Sequence, residues 1–446
     1  TIGFGSLAVD TSASIGFSST ELSSLLTAGD IDLVARNNGR ISGGDVDFYS
    51  FSDTTGTNGV NAAGGNILVN ANDGFITLTG LFSVNASAQA GANDSSTFAP
   101  TSAQGGSTTI LLEGTSPITS RMTFTDIDFN SDGSIVSGPE FSGPFEGNGG
   151  SGVGGSVIFD LLGGTFIAGD IEVSAGGAGG RGGSEVTENL LIPAVSAFAA
   201  PMDLTVVDTP FAGGVSAGDG GDGQGGSVTF NLNGGNATVT NLTISANGFG
   251  GDGAYGDIDS GTAGGDGGRG IGGDATFNAI TGNLTITNTL TVSADANNPA
   301  SAPYGASASG GFGYGSDGGD GGAGLGGTAT FNMAGTATIN AGDIQVSTSA
   351  SGGDGGSTSD RFVVNTFISG GPAGSGGDAT GGDAVMNDTS GTLDFTSATI
   401  QSVAVGGDGG SNSDNRGSFY GNGSGGNGGT ARGGNATLNL NQDNAT

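Results

Sequence analysis

Residues 225–248 read GGSVTFNLNGGNATVTNLTISANG. After the opening glycine pair the residues alternate: Val228, Phe230 and Leu232 fall on one side, and Ser227, Thr229 and Asn231 on the other. A period of two is that of a β-strand. A second pair, Gly234 and Gly235, interrupts it, and two shorter alternating runs follow, carrying Ala237 and Val239, then Leu242 and Ile244. One unit is therefore three strands separated by bends.

The unit recurs from Gly154 (GGSVIFDLLGGTFIAGDIEVSA), Gly272 (GGDATFNAITGNLTITNTLTVSA) and Gly326 (GGTATFNMAGTATINAGDIQVS), and more loosely from Gly64, Gly381 and Gly433. Self-similarity of this kind marks stacked-repeat architecture. The fourth residue after each glycine pair is Phe48, Val69, Ile110, Phe159, Phe230, Phe277, Phe331, Met386 or Leu438, which makes one inward column of apolar side chains. The next slot holds Asn70, Asp160, Asn231, Asn278, Asn332, Asn387 and Asn439, with Tyr49 and Leu111 as exceptions. Amides at one register can bond to their equivalents if units stack in parallel about 4.8 Å apart. Alternatively, Asn is there because it favours turns at strand ends.

The chain has 446 residues, 98 of them Gly, and a net charge of −34. An ordinary core does not grow to this size, whereas a one-dimensional stack does so by adding neighbours. Glycine at this level without pattern would signal disorder; here it comes with periodic apolar strands. There is no Cys, His, Trp or Lys, and all eight basic residues are Arg. Binding of nucleic acid or of an anionic membrane needs clustered cations, so neither is expected as a partner. No apolar run approaches a membrane span.

Further expectations follow along the chain. GGNATLNLNQDNAT at the end and TIGFGSLAVDTSAS at the start read as complementary parts of one repeat, which suggests a tile of a longer array or a subunit stacking head to tail on copies of itself. Residues 28–35 (AGDIDLVA) match later third strands, a first strand is expected from Asp45, and Met122 and Phe124 suggest another third strand. Ser19–Leu26 (STELSSLL) has the look of a helical turn with a capping box. Residues 1–146 read as lean units with a few inserts and residues 147–446 as units with glycine-rich approaches, all in one continuous solenoid.

Those approaches share a register: GDGGDGQGG from Gly218, GDGGRGIGG from Gly265 and GDGGAGLGG from Gly319. Their first two non-glycine residues fall three apart, the period of the extended helix that polyproline and polyglycine adopt. Matching runs leave the third strands at 176–183, 352–356 and 406–410. An outgoing and a returning arm per unit, stacked as a second layer, is one reading; flexible linkers are the other. Two loops at the arm tips, Ser184–Gly213 and Arg361–Ser369, are apolar enough to mark a contact with another fibre strand, a glycan or a surface receptor, or to cover their own glycine layer.

Catalytic chemistry finds little purchase. Nucleophilic triads and zinc sites use His or Cys, and the GxGxxG-like strings lack the strand-turn-helix setting of a nucleotide site. Paired carboxylates could hydrolyse glycosides, but the acids are spread through the repeat. No catalytic residue and no cofactor is expected, with one question open: Asp219, Asp222, Asp266, Asp317 and Asp320 could bind Ca²⁺, or they form a solvated acidic face.

The strand triplets with glycine breaks, the Asn column and the Thr-rich outward faces resemble the β-helical shafts of large secreted bacterial adhesins of the filamentous-haemagglutinin and autotransporter type. The glycine arms are similar to the polyglycine-helix layers of some phage tail-tip adhesins. These resemblances imply an extracellular protein for attachment or matrix building, without catalysis. The expected fold is all-β: a right-handed parallel β-helix, or β-solenoid, with polyglycine-II-like arms forming a lateral layer. Phe159, Phe230, Phe277 and Phe331, with Asn231, Asn278 and Asn332, are its expected structural ladders.

Overall fold

The computed structural model describes residues 1–14, 25–54, 60–91, 101–114, 120–136, 148–183, 217–256, 261–297, 308–363, 366–413 and 424–440. Among them every regular element is a strand. Strands of one repeat pair with the equivalent strands of the repeats before and after, in parallel. The exception is one antiparallel hairpin, Arg361–Val363 with Thr366–Ile368. The result is a set of long parallel sheets, an arrangement compatible with a β-solenoid.

First strands stack in one column: Ile31–Arg36, Asn66–Asn72, Ser107–Glu113, Ser156–Leu161, the starts of Ser227–Val239 and Asp274–Ser293, then Thr328–Met333, Asp383–Asp388 and Asn435–Leu440. Phe159, Phe230, Phe277 and Phe331 follow one another in register. Their rings stack at centroid distances of 4.9, 5.4 and 5.0 Å, with interplanar angles of 16°, 12° and 7°. The alternation explains why the register is unique: a slip of one residue would turn every phenyl ring into solvent and every Thr inward. Each ring so buried contributes about 1.5 to 3 kcal/mol.

Three register expectations are corrected. Ile31–Arg36 pairs with Asn66–Asn72, so residues 28–35 lead into a first strand, and Leu33 rather than Phe48 stands opposite Val69. Val46–Tyr49 pairs with Leu81–Asn85, which makes it a third strand. Arg121–Thr123, with Met122, pairs with Phe75–Leu78 and Thr165–Ile167 in the second column, and the third strand there is Asp126–Asn130. Early third strands carry Phe48, Phe82 and Phe129 inward, so the aromatic content of a strand does not report its column. Most of Ser19–Leu26 lies outside the described residues, and its last two residues belong to the strand Leu25–Thr27.

Bends between first and second strands turn left-handed, through Asn37, Asn38 and Asp73 in the early repeats and through glycine later, as at Gly235 (φ 73°) above Gly164 (φ 80°); glycine adopts this without strain, and Asn and Asp tolerate it best among the other residues. At the opening glycine pairs the reason is close approach instead. Gly226 N–H donates to the Ala175 carbonyl at 2.7 Å and Gly273 N–H to that of Ala246 at 2.7 Å, tying the entry of one first strand to the exit of the preceding repeat's third strand.

Beyond that neck lies a second layer, in which the chain returns and departs as fourth and fifth strands or glycine runs. It includes Ala88–Gly91 and Ser102–Gln104, so it begins well before residue 147. From residue 148 on the layer is rich in glycine, and its hydrogen bonds recur every third residue. Gly218 and Gly221 donate to the carbonyls of Gly183 and Gly180, Ala254 and Gly251 to those of Gly218 and Gly221, and Gly265 and Gly268 to those of Ala254 and Gly251. Residues one place earlier bond along the stack, Gly220 to Asp266 O at 2.7 Å and Gly267 to Asp320 O at 2.8 Å.

Two outcomes follow. Phe277→Ala, which opens a void between two stacked rings, is expected to lower stability by about 3 to 5 kcal/mol, read from a denaturant midpoint. Gly268→Ala places a Cβ inside the Gly221 carbonyl oxygen and should raise amide hydrogen exchange through the arms at 217–226 and 264–273 while leaving the Phe-stacked strands protected.

Candidate functional site

Recurrent polar features on the outside of the described residues include an amide file on the first strands and a carboxylate file on the arms. On the first strands, Asn231 Nδ2 donates to Asp160 Oδ1 at 2.7 Å, Asn278 to Asn231 at 2.9 Å, Asn332 to Asn278 at 3.0 Å, Asn387 to Asn332 at 2.9 Å and Asn439 to Asn387 at 2.7 Å. An amide suits this because it carries a donor and an acceptor at once and so passes the bond on. A second pair, Asn283 to Asn236 at 2.8 Å, stands on the second strands. Sequence reading missed it, although both residues sit directly after the bend glycines Gly282 and Gly235.

On the arms, one residue in three faces outward, and its backbone N–H finds no carbonyl across the layer. A carboxylate of the adjacent repeat accepts it. Asp266 N–H donates to Asp219 Oδ1 at 3.0 Å, Asp320 N–H to Asp266 Oδ1 at 2.7 Å, and Ser375 N–H to Asp320 Oδ1 at 2.7 Å. Asn148 Oδ1 serves Asp219 in the same way at 3.0 Å. Asp222 Oδ1 takes the Arg269 N–H at 2.8 Å. The returning arms repeat the device at Asp252 and Asp354, which accept from Ser309 and Asp408 at 3.0 and 2.8 Å. Where an Asp or Asn stands one repeat below, every position of the triplet is thereby satisfied: one N–H along the stack, one across the layer, one on a side chain.

This places four of the five residues considered for Ca²⁺. Asp219, Asp266 and Asp320 form one file, Asp222 stands one triplet further along, and Asp317 lies at the start of its arm, its carbonyl accepting the Gly264 N–H at 3.0 Å. The carboxylates point the same way from successive repeats and do not converge. Among the described residues no group of three or more His, Cys, Asp or Glu could hold a metal ion. Stacking like charges has a measurable electrostatic consequence: burial, with the neighbouring charges of Asp219 and Asp320, holds the Asp266 carboxyl above the usual carboxylate range.

The loop Ser184–Gly213 lies outside the described residues. Arg361–Ser369 contains the antiparallel hairpin at an arm tip. No helix among the described residues is long and apolar enough to cross a membrane. The fold and these files define an all-β, stacked-repeat protein; no protein family, curated protein or solved structure matches the chain.

A group whose carboxyl is raised in the folded state favours folding when protonated. Its contribution is therefore greatest below the unfolded value near 3.9 and falls as pH rises through the folded value. Asp266→Asn keeps the acceptor and drops the charge, so it should raise the melting temperature at pH 7 and match the parent at pH 3. Asp266→Ala strands the Asp320 N–H and should cost about 1 kcal/mol at either pH.

Proposed function

We propose that this chain is a shaft element of an extracellular structural fibre: a right-handed parallel β-solenoid with a polyglycine-II-like lateral layer, serving surface attachment or a biofilm matrix. Its work is mechanical. The observation that carries this reading is the bonding of each repeat to the next at every level, through strand ladders, stacked rings, amide files and glycine arms. Axial tension is then shared by many parallel bonds within each repeat, and the strong negative charge keeps neighbouring shafts from aggregating.

End-to-end stacking on copies of itself belongs to the same proposal, because the parallel edge of one repeat is a template for the next. The second reading is an adhesin module gripping a surface glycan or receptor through the arm-tip loops. The hairpin at Arg361–Ile368, the one departure from parallel pairing among the described residues, supports it.

A tandem duplicate of the 446 residues, imaged by negative-stain electron microscopy, should give a straight rod twice the length of the single copy at equal width, with a rise of about 4.8 Å per repeat. Two compact particles joined by a link would overturn the proposal.

A further inference from the structure

One charged side chain faces the apolar interior. The inward column at the ends of the first strands runs Leu112, Leu161, Leu232, Ala279 and Met333, each in register with the next, and its following place holds Asp388. Alternation along Asp383–Asp388 puts Asp388 on the side of the buried Ala384 and Met386, and it is only 8% exposed. Leu440 of the next repeat pairs with it from the other side. A carboxyl therefore stands between a Met and a Leu, where the preceding repeats place an apolar side chain.

Nothing among the described residues compensates it. Its Oδ1 is buried and makes no hydrogen bond. Thr328–Met333, Thr338–Ser347, Thr392–Gln401 and Asn435–Leu440 pack against Asp383–Asp388, and these strands together carry Asp383, Asp343 and Asp394 but no Arg. None of the three faces Asp388. Asp383 points outward and accepts the Asn435 amide at 2.7 Å, Asp343 accepts the Ser397 hydroxyl at 2.6 Å, and Asp394 is exposed on the side opposite Leu393 and Phe395. An unpartnered buried carboxyl is costly when charged and far less so when protonated. Burial holds the Asp388 carboxyl above its ordinary value.

The strand that closes over it is lightly held. Asn435–Leu440 pairs with Asp383–Asp388 and with no other described strand, matching Ala436, Leu438 and Leu440 to Ala384, Met386 and Asp388. Leu438 and Leu440 remain 50% and 47% exposed. One of the three seats on which this strand rests is thus a group that titrates. We propose that Asp388 is a proton-operated latch: with its carboxyl protonated, Asn435–Leu440 seats on Asp383–Asp388, and with the carboxyl ionised the strand opens readily. Opening lifts Leu440 away and lets water reach the charge, while only one ladder is broken. A carboxyl that holds its proton more tightly when covered favours closure most below the unfolded value near 3.9, and this contribution is lost as pH rises through the folded value. The latch works within a single chain, so it and rod formation succeed or fail separately.

The test is hydrogen exchange of the full chain, read by mass spectrometry as protection factors corrected for the intrinsic pH dependence of exchange, from about pH 3 to about pH 7.5. Protection of residues 435–440, taken relative to residues 227–232 in the middle of the stack, should fall about ten-fold or more as pH rises, the effect of a ten-fold difference in proton affinity between closed and open strands. Asp388→Asn and Asp388→Leu should each flatten this profile, and Asp388→Leu, which restores the apolar column, should raise protection at the upper end of the range. Asp383→Asn, on the outward face of the same strand, should leave the step in place. Circular dichroism reports whether each variant is folded, and either Asp388 variant suffices should the other unfold. The proposal is overturned if the protection of 435–440 in the parent does not change with pH, if the step persists in a folded Asp388 variant, or if Asp383→Asn removes it as well.

Discussion

Parallel hydrogen bonding between equivalent residues of successive repeats is the constraint on which everything else in this protein depends. It fixes the spacing at which side chains meet their own counterparts. At that spacing phenyl rings stack nearly face to face, amides pass a hydrogen bond along the file, and glycine backbones come close enough to bond. The repeats need not be identical; they need the same class of side chain at the same place, so Met386 can follow Phe331.

The glycine layer shows how far that constraint reaches. Ordering a residue costs about 1 to 2 kcal/mol in backbone entropy, and glycine loses most. Isolated arms would have no means of offsetting this. Stacked arms do, because two amides of a triplet bond to backbone carbonyls and the third, where an Asp stands one repeat below, to its carboxylate. Side chains other than hydrogen are excluded from the contacts themselves: a Cβ on Gly221 would overlap the Gly150 carbonyl. Glycine is used in these contacts for proximity, and at turns such as Gly164 and Gly235 for its conformational range.

The same stacking has an electrostatic drawback. Files of Asp bring like charges together, and Asp219 and Asp320 add to the burial that holds the Asp266 carboxyl above its ordinary range. Replacement of Asp by Asn, Ser or Ala at equivalent places, as at Asn148, Ser375 and Ala323, thins the charge while leaving the layer intact. On the first strands the solution is more complete, since Asp160 is followed by Asn231, Asn278, Asn332 and Asn387.

Alternation of small and large apolar residues after each glycine pair determined, without coordinates, that the chain is built of strands, that they repeat, and that Phe230, Phe277 and Phe331 share an interior. These are local properties, and a period of two survives in the chain whatever the neighbours do. Column assignment near the start was not legible: Leu33 and Phe48 both sit in short apolar runs flanked by glycine, and only pairing across about 36 residues tells a first strand from a third. The roles of Asp219 and Asp320 were equally hidden. A carboxylate three residues from the next looks the same whether it faces a cation, water or the backbone of the adjacent repeat, and the stacking of whole arms decided among these. The burial of Asp388 was half hidden: a period of two sets it on the side of Met386, but only the strands of neighbouring repeats that close over it take its carboxyl out of water, a property of the assembled stack and of no single repeat.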